Sequence, residues 1–268
     1  MLKPQFALIT KNIKAALYIG LFMMVAMTNA RAEDIEETQA HTEKQIIRVG
    51  FGAERPPFVY NDHEAGLEIE LVKAIIKQMG YEIKPDFIPN ARGYQYLEQQ
   101  RIDLYTTLTE QSKGHAYLTK PYIDFENVLI SKPKNHSIQS FDELADTRLT
   151  AFQNAKFFIP EIAAIKDKTA LYFETAAQRT QVLLLYRDRV DYVFSERRVF
   201  EHYYKQAIAE GDLPAEGFVY QIHNVIEPTH YSAGFNDPKL RDEFNDALDV
   251  IIADGTYKRI MDKYDIRN

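Results

Sequence analysis

Four short stretches hold side chains able to grip a small polar molecule. "RPPFVYND" sets Arg55 and Phe58 in a proline-stiffened turn. "DLYTTLT" ends an apolar run in Thr106, Thr107 and Thr109, and "AFQNAK" ends another in Gln153, Asn154 and Lys156. In "RVDYVFSERR" the run Tyr192, Val193 and Phe194 passes into Ser195, Glu196, Arg197 and Arg198. Hydroxyls, amides, an acid and cations at strand ends are the donors and acceptors that bind a ligand's polar groups. Each stretch also has a local reading as a turn, a cap or a helix start. Ser195 as N-cap with Glu196 in the first turn would be good helix chemistry by itself.

Other chemistries find less support. "GFGAER" opens like a dinucleotide loop, but Arg55 stands where the third glycine belongs and Pro56-Pro57 would block the receiving helix. The seven histidines form no HExxH pair or other close ligand spacing, and neither a nucleophile elbow nor a P-loop is present. Asp242, Glu243, Asp246 and Asp249 share a helical repeat whose other face is Leu240, Phe244, Leu248 and Ile251, which makes them a solvated face. No metal or cofactor is expected.

The elements that must position the four stretches alternate between strand and helix. "IIRVGF" (46–51) reads as a strand, and "LEIELVKAIIKQMG" (67–80) as a helix with Leu71, Ile75 and Met79 on one stripe and Gly80 closing it. "YEIKPDF", "IDLYTTL" and "DFENVLI" (124–130) are further strands, with "GYQYLEQQ" a helix. After "SKPKNHS" the pattern restarts with the strand "RLTAFQ", the helix "FFIPEIAAI", the strand "ALYF" and a helix behind a capping box "TAAQ" (175–178). The strand "RVDYVF" follows; then "NVIEPTH" (224–230) leads to the strand "YSAGF" and a helix opened by "NDP". Such alternation predicts an α/β fold with mostly parallel strands, which bind ligands at their carboxyl ends. Two linkers around a middle block predict an inserted second lobe reached through a two-stranded hinge.

The N-terminus bears on location. Lys3, Lys11 and Lys14, the apolar "AALYIGLFMMVAMT" (15–28) and "ARA" (30–32) follow the order of a cleavable export signal. Cleavage after Ala32 would leave 236 residues with 28 basic and 39 acidic side chains, formally −11. An acidic chain disfavours nucleic acid and anionic lipid as partners. With no cysteine, the fold must rest on core burial.

Taken in order, "PPF", "GLEIELVKAI", "LEQQRIDL", "TKPY", "RVDYVF" plus an acid, and "LRDEFNDALDVIIADGTYKRIMDKY" resemble the type II periplasmic solute-binding proteins of family 3, the polar amino-acid receptors of ABC importers. The resemblance spans about residues 45–265. It implies a two-lobed periplasmic binding protein type II fold, with a first lobe from 45–131 and 231–268, an inserted second lobe from 136–225 and a signal peptide at 1–32. It further implies a monomeric periplasmic protein that passes a small ligand to an ABC permease or a membrane sensor.

Its site residues carry over with departures. Glu196 falls where the family places the acid that receives an α-ammonium, and "FQNAK" where a helix start holds a carboxylate. Arg55 replaces an aromatic lid, and "TEQSKG" lacks the arginine of the family's carboxylate clamp. Arg55, Arg92 or Lys156 could replace that clamp, with Lys113 the nearest cation in the altered segment. The alternatives are an enzyme on the same scaffold acting through Glu196, or an orphan receptor with a decayed pocket.

Overall fold

A computed structural model describes residues 45–60, 65–89, 92–110, 114–133 and 137–265. The expected signal peptide and Lys113 lie outside them.

The chain builds two sheets. The first uses β1 (Ile46–Phe51), β2 (Glu82–Phe87), β3 (Leu104–Leu108), β4 (Tyr117–Leu118), β5 (Ile123–Phe125) and β11 (Thr229–Phe235). Its order is β2-β1-β3-β11-β4, with β5 on β11. The second uses β6 (Asn127–Ser131), β7 (Arg148–Phe152), β8 (Leu171–Thr175), β9 (Tyr192–Glu196) and β10 (Gln221–His223), ordered β10-β6-β9-β7-β8. The central pairs β1–β3 and β7–β9 are parallel, so their carboxyl ends share one edge of each sheet. Helix α1 (Leu67–Gln78) follows β1, and α2 (Gly93–Glu98) precedes β3. The short α3 (Ala155–Phe158) and α4 (Pro160–Ile165) follow β7, α5 (Gln178–Tyr186) precedes β9 and α6 (Arg197–Ala209) follows it. Two further helices, α7 (Pro238–Ala253) and α8 (Thr256–Tyr264), close the described chain.

Helix α1 lays Leu71, Val72, Ile75 and Ile76 on the first sheet, and α7 adds Phe244, Leu248 and Ile251 to the same cluster. In the second sheet β9 is buried on both faces: Tyr192 and Phe194 enter one cluster and Val193 the other, the period-2 alternation of a central strand. Asp237 caps α7 by accepting from Lys239 N, and Pro238 occupies N1, as "NDP" predicts. At the end of α1, Gly80 supplies the positive φ of 88° that follows the helix.

An identical staple fastens the amino end of each sheet. Asp103 N donates to Arg48 O while the Asp103 carboxylate accepts from Arg48 N, Nε and Nη2. Asp191 and Arg148 repeat all four contacts between β7 and β9.

Four expectations change. The sheets are mixed rather than mostly parallel, since the five pairings made by β6, β10 and β11 are antiparallel. The first sheet gives up the chain at Phe125 rather than 131, because Asn127–Ser131 pairs with β9 and β10. "TAAQ" is no capping box: α5 starts at Gln178 behind Ala177, and Thr175 Oγ1 accepts from Ala177 N two residues on. "FFIPEIAAI" makes two short helices, since Pro160 has no N–H with which to continue the first.

Candidate functional site

Glu196 ends β9 and is itself the N-cap of α6, one residue later than the Ser195 cap weighed above. Its Oε2 accepts from Val199 N at 2.9 Å, and its Oε1 accepts from Glu126 N at 3.3 Å. Arg198 Nη1 donates to Oε1 at 3.4 Å and to Asp124 O at 3.2 Å. The carboxylate is buried at 5% exposure, and burial pushes its pKa up to about 7 against the pull of Arg198 and the Val199 N–H. Ser195 is also buried, with its hydroxyl on Glu196 O.

The start of α6 joins the two sheets. Val199 belongs to the core cluster of the first sheet, and Arg198 lies 5.9 Å from the ring centre of Phe58. Arg197, 2% exposed, forks onto Glu126 at 2.7 and 3.1 Å and also holds Glu201 at 2.9 Å. Glu126 sits in the crossing between β5 and β6, so this ion network straddles the first connection between the sheets.

Arg55 also lies beside Phe58. Its guanidinium lies 5.3 Å from the Phe58 ring centre and 4.2 Å from that of Phe125. Its hydrogen bond to Glu68 is long, at 3.4 Å, and its Nε has no acceptor. Glu68 is fully buried and accepts from Tyr122 Oη at 3.2 Å; the Tyr122 oxygen accepts in turn from the Thr107 backbone N–H. Thr107 reaches that position at φ 53°, an uncommon value for a β-branched residue. Thr106 beside it is fully buried with an unpaired hydroxyl.

Arg55, Phe58, Thr107 and Glu196 are therefore linked in one chain of contacts, with Phe58 as a core residue beneath two cations. Phe58 is fully buried here. Arg92, at the start of α2, and Gln153 are exposed, and Thr109 is half-buried at the end of β3. Asn154 (φ 68°) and Lys156 present their backbone N–H groups, each at 2.9 Å, to Glu174 at the end of β8. Tyr172 Oη donates to the same carboxylate. Burial would raise the Glu174 pKa, but the Tyr172 hydroxyl and these two N–H groups bring it below the usual carboxylate value.

Sequence reading missed Glu68, Tyr122, Glu126 and Glu174. Glu174 had a usable signal: β8 lies parallel to β7, so an acid ending one strand sits beside the carboxyl end of the other. Two open hollows of about 310 and 450 Å³ share Asp103, Asp237 and Leu240 at the amino ends of the strands, away from these groups.

Residues 47–266 match the family of bacterial extracellular solute-binding proteins, family 3. The chain belongs to that family. No curated protein matches it. Among solved structures, an ancestral arginine-binding protein bound to glutamine is 25% identical, with a TM-score of 0.60 over 84% of this chain and 99% of that one. A histidine-bound ABC transporter substrate-binding protein from Streptococcus pneumoniae is 21% identical, with a TM-score of 0.59 over 82% and 92%. A histidine kinase sensor domain with similarity to periplasmic binding proteins is 16% identical, with a TM-score of 0.63 over 84% and 97%. The family 3 chain thus has the two-lobed α/β fold of periplasmic binding proteins.

Proposed function

We propose that this family 3 protein is a non-catalytic periplasmic receptor that captures a small polar ligand between its lobes and delivers it to an ABC importer or a membrane sensor. The observation that carries the reading is the meeting of the two sheets' polar segments at Phe58, whose ring centre lies 5.3 Å from the Arg55 guanidinium and 5.9 Å from that of Arg198. That meeting lies beside the Phe125–Asn127 crossing, where rotation of one sheet against the other would open or close the space above it. On this reading Arg55, Arg92, Thr107 and Thr109 of the first lobe and Gln153, Asn154 and Lys156 of the second surround the ligand, while Phe58, Thr106 and Glu196 lie buried behind them. Neither export nor monomeric state enters this geometry; both rest on the N-terminal sequence and on the resemblance.

A thermal-shift screen of amino acids, amines and small acids tests the reading, followed by solution scattering with each hit. A cognate ligand raises the melting temperature and reduces the radius of gyration. A screen with no hit and radii unchanged at millimolar ligand would overturn it.

A further inference from the structure

The acid expected to receive a ligand's ammonium already has a cation of this chain upon it. Both Glu196 oxygens are engaged, Oε2 by Val199 N and Oε1 by Glu126 N and Arg198 Nη1. Arg198 is held there from several sides: Asp124 O accepts from it, Glu126 lies at 3.6 Å, and the Phe58 ring flanks it. The two side chains are 6–7% exposed. A ligand ammonium would have to displace a tethered guanidinium that is never diluted, or share one carboxylate with it at like-charge contact. Either route weakens amine binding.

The anion side of the space is arranged in the opposite sense. The backbone donors of Asn154 and Lys156 are engaged by Glu174. Arg55 is under-used: a guanidinium carries five N–H donors, yet this one makes a single long side-chain bond, to Glu68, and leaves 28% of its side chain exposed. A half-buried guanidinium with donors to spare beside two aromatic rings suits a carboxylate.

We propose that Arg198, by occupying Glu196, is the residue that sets specificity, and that the protein selects a small organic carboxylate lacking an amino group, bound through Arg55. This rests on the solute-binding reading above. It differs from that reading in excluding α-amino acids by a named internal contact.

The test is calorimetry with matched probes that differ only at the α-carbon: 2-oxoglutarate against L-glutamate, and pyruvate against L-alanine. Wild type should favour at least one oxo acid over its amino partner by roughly tenfold or more, the effect of one charge-assisted contact. Arg55→Gln should lower oxo-acid affinity by a similar factor. Arg198→Gln should free Glu196 and shift the ratio toward the amino acid by roughly tenfold, and adding Glu196→Gln should cancel that shift. Should Arg198→Gln fail to fold, the wild-type ratio and Arg55→Gln decide alone. A wild type that prefers the amino acid, or an Arg198→Gln ratio equal to wild type, overturns the assignment. Failure of both oxo acids while the thermal screen finds an amine also overturns it, but leaves the solute-binding reading standing; failure of every ligand class removes that reading too.

Discussion

Glu196→Gln isolates what the proton on this buried side chain does for the fold. The variant amide still offers an oxygen to the Val199 N–H, so the helix cap survives, while the titrating proton disappears. In wild type, burial lifts the carboxyl from 4.5 to about 7. The folded protein therefore holds that proton more tightly than the unfolded chain does. Protonation stabilises the fold fully below about pH 4.5, and the contribution is lost as pH rises through about 7. At about 1.4 kcal/mol for each pH unit, the full effect is roughly 3 kcal/mol, of which some 2–3 falls between pH 8 and pH 5. Burial lowers the His202 pKa, which works the other way: its contribution is present above its unfolded value and lost as pH falls. Comparing wild type with the variant cancels His202. Urea midpoints at half-unit steps from pH 5 to 8, at constant m, should show the variant's advantage growing toward pH 8 and vanishing or reversing near pH 5. Parallel profiles for the two proteins would refute the buried, proton-holding carboxyl; a wild type that gained stability relative to the variant as pH rose would refute its sign.

Arg197→Ala should cost about 3–5 kcal/mol in denaturant titration, because it strips the nearly buried Glu201 of its close cation and releases the fork on Glu126. Thr106→Val should stabilise by about 1 kcal/mol, since the hydroxyl it removes is buried without a partner; a loss of stability would show that the hydroxyl is satisfied. Gly66→Ala should cost more than about 2 kcal/mol, because φ is 137° and an added Cβ would lie 2.1 Å from Phe58 O; a melting temperature equal to wild type would contradict that backbone approach.

The fold was legible because its signals are local. Alternating apolar runs, Gly80 after α1 and "NDP" before α7 each follow from a few neighbouring residues. The errors arose where a distant partner decides. The polar pair Glu126-Asn127 breaks the alternation of "DFENVLI", but with no glycine or proline there nothing local says that Asn127–Ser131 leaves the sheet of β5 and joins β9. The site divided in the same way. Arg55, Phe58, Thr107 and Glu196 came from strand-end position, and the structure links them through Glu68, Tyr122 and Arg198. Glu174 escaped notice because its contacts are backbone N–H groups twenty and eighteen residues earlier in the chain, which composition cannot express. Arg198 stood in plain view in "SERR", but its direction, back onto Glu196 rather than out toward solvent, depends on Asp124 and Phe58.

The paired Arg–Asp staples of β1–β3 and β7–β9 have a consequence for how such a receptor can change. Each fixes the register of its central strands from the end remote from the strand mouths, using main-chain and guanidinium contacts alike. Neither touches Arg55, Glu174, Glu196 or Arg198. A lineage could therefore exchange those mouth residues while each sheet keeps its alignment from the opposite rim.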